Sequence, residues 1–185
     1  NRTEALKGIA FNVLEGEFLG IMGASGSGKT TLLNCIATML KPTSGRIIPR
    51  GQDISGFHGG KLADYRGREI GYLFQEFELL DNLIARENIT LPLSLHGVMS
   101  KQADADIRTI ASMLDITAVL DKFPSQMSGG QKQRVAAARA LISNPDIVLA
   151  DEPTGALDSK NSKTLMDKLP AINTEQNKTI MMVAH

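Results

Sequence analysis

The stretch GASGSGKT, Gly23 to Thr30, limits more than any other what this chain can become. It matches G-x-x-x-x-G-K-[ST] at every fixed position. An apolar run, Phe18-Leu19-Gly20-Ile21-Met22, stands directly before it. Directly after it, Thr31 to Met39 winds as a helix with Leu32, Leu33, Ile36 and Met39 on one side. The stretch therefore joins a strand to a helix, the context that separates a phosphate cradle from a chance glycine-serine turn. Its glycines let backbone N–H groups turn inward as a nest for anionic oxygens. The helix N-terminus adds partial positive charge. Lys29 is placed to reach β- and γ-phosphates, and the Thr30 hydroxyl to ligate Mg²⁺.

The 185 residues suffice for one domain with a real core. Lys and Arg total 20, as do Asp and Glu, so no basic excess argues for nucleic acid or a membrane surface. Aromatic residues make up 4% and Trp is absent, which leaves no base-stacking platform. No apolar run approaches the roughly 20 residues of a spanning helix. The polar start NRTEALKG does not read as a secretory leader. A single cysteine, Cys35, excludes an internal disulfide framework and fits a reducing compartment. It reads as a small buried hydrophobe on the first helix. The chain opens on Asn1 and stops at His185 directly after a β-like run, so both ends are expected to continue.

Ile9, Phe11 and Val13 alternate with polar or small residues and read as a half-buried strand. Arg46-Ile47-Ile48 reads as a short strand, marked as an edge by Pro49. Lys61 to Arg66 reads as a short helix and Ile70 to Phe74 as a strand. Leu91-Pro92-Leu93 is expected to break the chain. Ser100, a candidate cap, opens a helix to Asp115 with Ile107, Ile110, Ala111 and Leu114 on one face. Thr117 to Lys122 reads as another short helix, and Gly130 to Ile142 as a longer one with Val135, Ala138 and Leu141 as its buried stripe. Ile147 to Ala150 is a continuous apolar run, as in a strand buried on both faces of a parallel sheet. A helix follows from about Ser159, which Pro170 should kink or end, and Thr179 to Ala184 is the last strand.

Four apolar runs end in chemistry. They lead into the Gly23–Thr30 loop, Gln75, the pair Asp151-Glu152, and His185. In open parallel α/β sheets, ligands bind outside the carboxyl ends of the strands, so neighbouring strands would bring all four to one crevice. One carboxylate of Asp151-Glu152 would hold Mg²⁺, and the other would orient or deprotonate an attacking water. His58 and His96 lie beside glycines in loop-like stretches and read as surface residues. Met127-Ser128-Gly129-Gly130-Gln131 forms a second helix start with free N–H groups. It reads either as an ordinary Ser-capped helix or as a phosphate cap, the latter most simply acting on nucleotide held by another copy.

GASGSGKT, Gln75, MSGGQ, IVLADE (Ile147 to Glu152), ALD (Ala156 to Asp158) and His185 occur in the order of an ABC transporter ATPase subunit. The resemblance runs over nearly the whole chain. It implies an α/β fold: a P-loop NTPase (RecA-like) core with a mostly parallel sheet, an N-terminal antiparallel β portion and a helical insert. The core would take about 1–88 and 143–185, and the helical subdomain about 89–142. The resemblance implies that Gly23, Ala24, Ser25, Gly26, Ser27, Gly28, Lys29, Thr30 and Thr31 bind the phosphates of ATP. Thr30 and Gln75 would ligate Mg²⁺, with Asp151 supporting the metal. Glu152 would be the catalytic carboxylate and His185 the switch histidine. Ser128, Gly129, Gly130 and Gln131 would close over ATP held by the opposite subunit of a homodimer or paired ABC subunit, and Asp158 would lie at that interface. About Glu76 to Leu91 would couple to a transmembrane permease at the cytoplasmic face of the plasma membrane.

Three departures stand out: Met127 for the usual Leu, Pro170 in the late helix, and an adenine-stacking aromatic that would precede Asn1. IMGASGSGKTTLLN and LADEPTGALDS look like the branch of macrolide, lipoprotein and peptide-resistance exporters. LLDNLIARENITLPLSL and SGGQKQR look most like its bacitracin and antimicrobial-peptide resistance group. Two other classes use the same loop. Soluble ABC-type ATPases of DNA repair carry a long coiled coil, and no sustained heptads occur here. A small-molecule phosphotransferase would leave MSGGQ unexplained.

Overall fold

A computed structural model describes residues 4–95, 97 and 101–184. His96, the Ser100 cap candidate and His185 lie outside the described residues. The apolar runs form four strands: β1 (Phe18–Met22), β2 (Ile70–Leu73), β3 (Ile147–Asp151) and β4 (Thr179–Ala184). They make one sheet in the order β1-β4-β3-β2, and every pairing is parallel. The register sets Met22 opposite Ala184, Asp151 opposite Val183 and Leu73 opposite Ala150.

Among the described residues there are six helices, α1 (Lys29–Ile36), α2 (Gly59–Glu69), α3 (Ala85–Leu95), α4 (Lys101–Met113), α5 (Gly129–Leu141) and α6 (Ser159–Gln176), of which α3 and α4 pack on α5. Single 3₁₀ turns form at Pro49–Gly51, Thr117–Val119 and Pro124–Gln126. Side chains alternate along the strands, so the sheet feeds two cores. Tyr72, Leu149, Met181 and Val183 join Leu33 of α1 and its C-cap Ala37 on one face. Leu73, Val148, Ala150 and Ile180 join α3, α4, α5 and α6 on the other. The expected stripes of α4 and α5 are buried, and Cys35 is a buried free thiol whose pKa burial raises. His58 is exposed. Among the described residues, no helix is long and apolar enough to cross a membrane.

Several local expectations need correction. Ile9–Val13 and Arg46–Ile48 do not form strands, so no antiparallel β portion appears among the described residues. Neither segment finds a ladder partner. Without one, alternation alone does not hold a strand, and Ile9, Phe11 and Ile48 stand 52%, 45% and 49% exposed. Met39 is also exposed, because α1 ends at Ile36 and Thr38 turns to a positive φ of 61°. Leu91-Pro92-Leu93 does not break the chain: Pro92 lies inside α3, which packs along α5. Pro170 likewise sits inside α6, on its exposed side. Leu165, Leu169 and Ile172 anchor α6 on both sides of that proline. Water can satisfy the carbonyl that Pro170 leaves free, so burial outweighs one lost hydrogen bond.

Gly71 shows how tightly α5 lies on β2. A Cβ there would overlap the Ala140 carbonyl oxygen and come within 3.0 Å of Pro145 Cγ. Gly71→Ala should cost about 1–3 kcal/mol, read as a lower melting temperature. Gly60→Ala in α2, which meets nothing within 4 Å, should instead raise it slightly.

Candidate functional site

Because the four strands are parallel, their carboxyl ends share one edge. The loop after β1 carries Gly23 to Thr30, β3 ends on Asp151 before Glu152, and Gln75 follows β2 by two residues. Ala184 closes β4 on the same edge, opposite Met22. The remaining residue of the expected set, His185, is outside the described residues.

In the loop, Gly26 and Gly28 take positive φ values of 75° and 91°, and the Ser27 N–H donates to the Ala24 carbonyl at 3.2 Å. Gly28 is the N-cap of α1 and has no room for a side chain beside the Ala5 carbonyl. Lys29 is only 8% exposed. Its Nζ turns back over the loop and donates to the carbonyls of Gly23 (2.7 Å) and Ala24 (2.9 Å). A buried ammonium facing neutral carbonyls at a helix N-terminus suits an anion of high charge, as a triphosphate is.

Thr30 Oγ1 donates to Asp151 Oδ1 at 3.1 Å. Tyr72, on β2, donates to Asn34 Oδ1 at 3.0 Å and lies 3.5 Å from Asp151 Oδ2. Burial pushes the Asp151 carboxyl above its ordinary range, the Thr30 bond opposes this, and Glu152 adds to it. Burial and Asp151 likewise raise the Tyr72 pKa. A buried carboxylate beside a hydroxyl is a hard oxygen pair, the donor type that Mg²⁺ takes. Glu152 sits one residue on, in a left-handed conformation with φ 44°. Its N–H donates to Val183 O at 3.0 Å, and its carbonyl accepts from Gly155 N at 2.9 Å. Gln75 is exposed and reaches this turn: a Cβ on Gly155 would stand 2.8 Å from its Nε2.

Ser128 caps α5, accepting from Gln131 N at 3.3 Å while its own N–H donates to Gln131 Oε1 at 2.9 Å. Gly130 has no room for a side chain because Asn161 lies against it. Asn161 donates N–H (2.9 Å) and Nδ2 (2.8 Å) to the Asp158 carboxylate, and these bonds hold the Asp158 pKa below its usual range. The structure thus brings Gly130 and Asp158 together through Asn161. Among the described residues, no hydrogen bond joins Ser128–Gln131 to Gly23–Thr31. Sequence reasoning missed Tyr72, Asn34, Gln133 and Arg139. Gln133 was findable, since it falls four residues before Ala137 on the buried face of α5.

A parallel sheet with this loop and an acidic pair at its carboxyl edge defines a P-loop nucleotide-binding domain. The sequence model of the family described as ABC transporter matches residues 6–155. The bacitracin export ATP-binding protein BceA of Halalkalibacterium halodurans is 48% identical over 185 residues, all of this chain and 73% of that protein. The ABC transporter ATP-binding protein YxdL of Bacillus subtilis is 46% identical, covering 98% of this chain and 71% of its own. The ATP-binding cassette MJ0796, in a dimeric post-hydrolysis state bound to ADP and Pi, superposes with a TM-score of 0.88 at 42% identity, covering 98% and 80% of the two chains. This chain belongs to the ABC transporter family, as an ATP-binding subunit that hydrolyses ATP.

The raised Asp151 pKa has a cost in the free protein. Above the ordinary value of 3.8, the fold holds a proton that the unfolded chain has released, so stability falls as pH rises through the window up to the raised pKa and stays reduced beyond it. Asp151→Asn should remove that fall. In nucleotide-free protein at pH 7 it should melt a few degrees higher, while ATP turnover is lost. Thermal scans from pH 4 to 8 check the first part and steady-state ATPase assays the second.

Proposed function

We propose that two copies of this chain close over two ATP molecules and so power a membrane exporter of antimicrobial peptides or related amphiphiles. In each copy Gly23, Ala24, Ser25, Gly26, Ser27, Gly28, Lys29, Thr30 and Thr31 hold the phosphates. Thr30, Gln75 and Asp151 hold Mg²⁺, which when bound neutralises charge on the transferring phosphoryl group. Glu152 orients the attacking water and accepts its proton, with His185 as a second polar group at the γ-phosphate. Ser128, Gly129, Gly130 and Gln131, with Asp158 beside them, cap the ATP of the other copy.

The observation that carries this reading is the Thr30–Asp151 bond. It lies one residue from the buried Lys29 and one from Glu152, which supports assigning phosphate, metal and water roles to residues of one sheet edge. The pairing of copies draws support from the dimeric MJ0796 cassettes. The peptide substrate draws support from the similarity to BceA over the whole chain. Residues about 89–142 act as a helical subdomain on a core of about 1–88 and 143–185. A transmembrane permease then docks the chain at the cytoplasmic face of the membrane, as a peripheral subunit.

Glu152→Gln should lower turnover about 100-fold or more and trap an ATP-dependent dimer in size-exclusion chromatography. Lys29→Ala should abolish both turnover and dimer. Full turnover in Lys29→Ala, or a Glu152→Gln protein that stays monomeric with ATP and Mg²⁺, overturns the mechanism. Deleting the gene should sensitise the host to bacitracin-type peptides; unchanged resistance overturns the substrate assignment alone.

A further inference from the structure

Helix α5 reaches back to the Gln75 segment with two side chains that the reaction has not yet used. Gln133 is fully buried. Its Nε2 donates to the carbonyls of Phe74 (3.1 Å) and Pro153 (2.7 Å). Phe74 immediately precedes Gln75, and Pro153 immediately follows Glu152. One amide therefore ties together the backbones that carry both groups. Its Oε1 accepts no hydrogen bond among the described residues. A buried amide with one idle end is costly, so two satisfied donors are what this position retains.

Six residues further along α5, the half-buried Arg139 donates from Nη2 to Phe77 O at 2.9 Å and from Nη1 to Glu78 O. Burial lowers its pKa and Glu78 opposes that shift. Phe77 and Glu78 both hold positive φ values, 21° and 50°. Non-glycine residues hold such backbone only where the surroundings fix it. The Gln75 segment is therefore gripped at Phe74 and again at Phe77 and Glu78, on both sides of Gln75. Both grips come from the helix that begins at Ser128–Gln131.

We propose that Gln133 and Arg139 are positioning residues that set the Gln75 amide, and through Pro153 the Glu152 backbone, from the position of α5. Movement of the helix start that caps the partner's ATP then reaches the metal side of the chain's own site through two backbone grips. This rests on the reading of Gln75 as a metal-side group.

The test is a double-mutant cycle on the full-length protein, with ATPase rates measured against ATP at saturating Mg²⁺ and against Mg²⁺ at saturating ATP. Gln133→Met and Arg139→Met should each lower kcat about tenfold while KM for ATP changes less than about threefold. Both should raise the Mg²⁺ concentration needed for half-maximal rate, and Arg139→Lys should recover part of the loss. Combined with Gln75→Ala, Arg139→Met should cost less than about twofold further, and Gln133→Met should keep only the smaller part of its loss that runs through Pro153 to Glu152. Losses that multiply fully with Gln75→Ala, or an unchanged Mg²⁺ requirement, would overturn the proposal and leave the two residues as packing. If Arg139→Met does not fold, Gln133→Met and Arg139→Lys carry the same cycle. A Gln75→Ala protein with full turnover would overturn the metal-side reading itself, and the positioning role with it.

Discussion

The register of β3 between β2 and β4 is the constraint on which the rest depends. It places Asp151 at the last paired position of a strand buried on both faces, opposite Val183. A carboxylate there is dehydrated, and the fold offsets the cost with the Thr30 hydroxyl and the Tyr72 phenol rather than with a full ion pair. One-residue slippage would turn Asp151 to the opposite face and bury a neighbouring side chain in its place. Continuous apolar strands resist that slip because both faces are packed: Val148 and Ala150 on one side, Leu149 on the other.

The same edge carries backbone strain. Glu152, Phe77 and Glu78 hold positive φ without being glycine, at a cost of order 1–3 kcal/mol each. All three lie in the two segments that α5 side chains grip, either directly or one residue away. The packed cores on both faces of the sheet hold the segments that carry this strain. Away from that edge, the Arg50 guanidinium bridges Glu15, Glu69 and Asp146 on half-exposed ground, and Arg50 holds a positive φ of its own, 49°.

Much of this was legible in the sequence because burial and phosphate chemistry leave local marks. Ile147–Ala150 reads as a strand from composition alone, and GASGSGKT carries its own geometry. Pro92 and Pro170 misled because a local breaker competes with long-range packing. Along α3 and α6 the packing wins, and only tertiary structure reveals that contest. Ile9–Val13 misled in the opposite sense, since alternation marks a strand only when a partner exists. Tyr72 and Asn34 left no mark at all. A tyrosine in an apolar strand reads as core, and its hydroxyl becomes meaningful only once β2 lies beside β3.

The glycines of the second motif show why spacing alone could not decide between an ordinary cap and a functional one. Ser128 and Gln131 satisfy each other, so the capping reading is correct as far as it goes. It does not explain Gly130. Any larger residue there would strike Asn161, whose two bonds fix the Asp158 carboxylate at the start of α6. A cap alone needs no such close approach between two helix starts. The fit locks the first turn of α5 to the Asp158 turn, and helix geometry leaves the Gly129 and Gly130 N–H groups without intrahelical acceptors. A helix start and an acidic turn held as one unit are what the proposed capping of another copy's ATP requires.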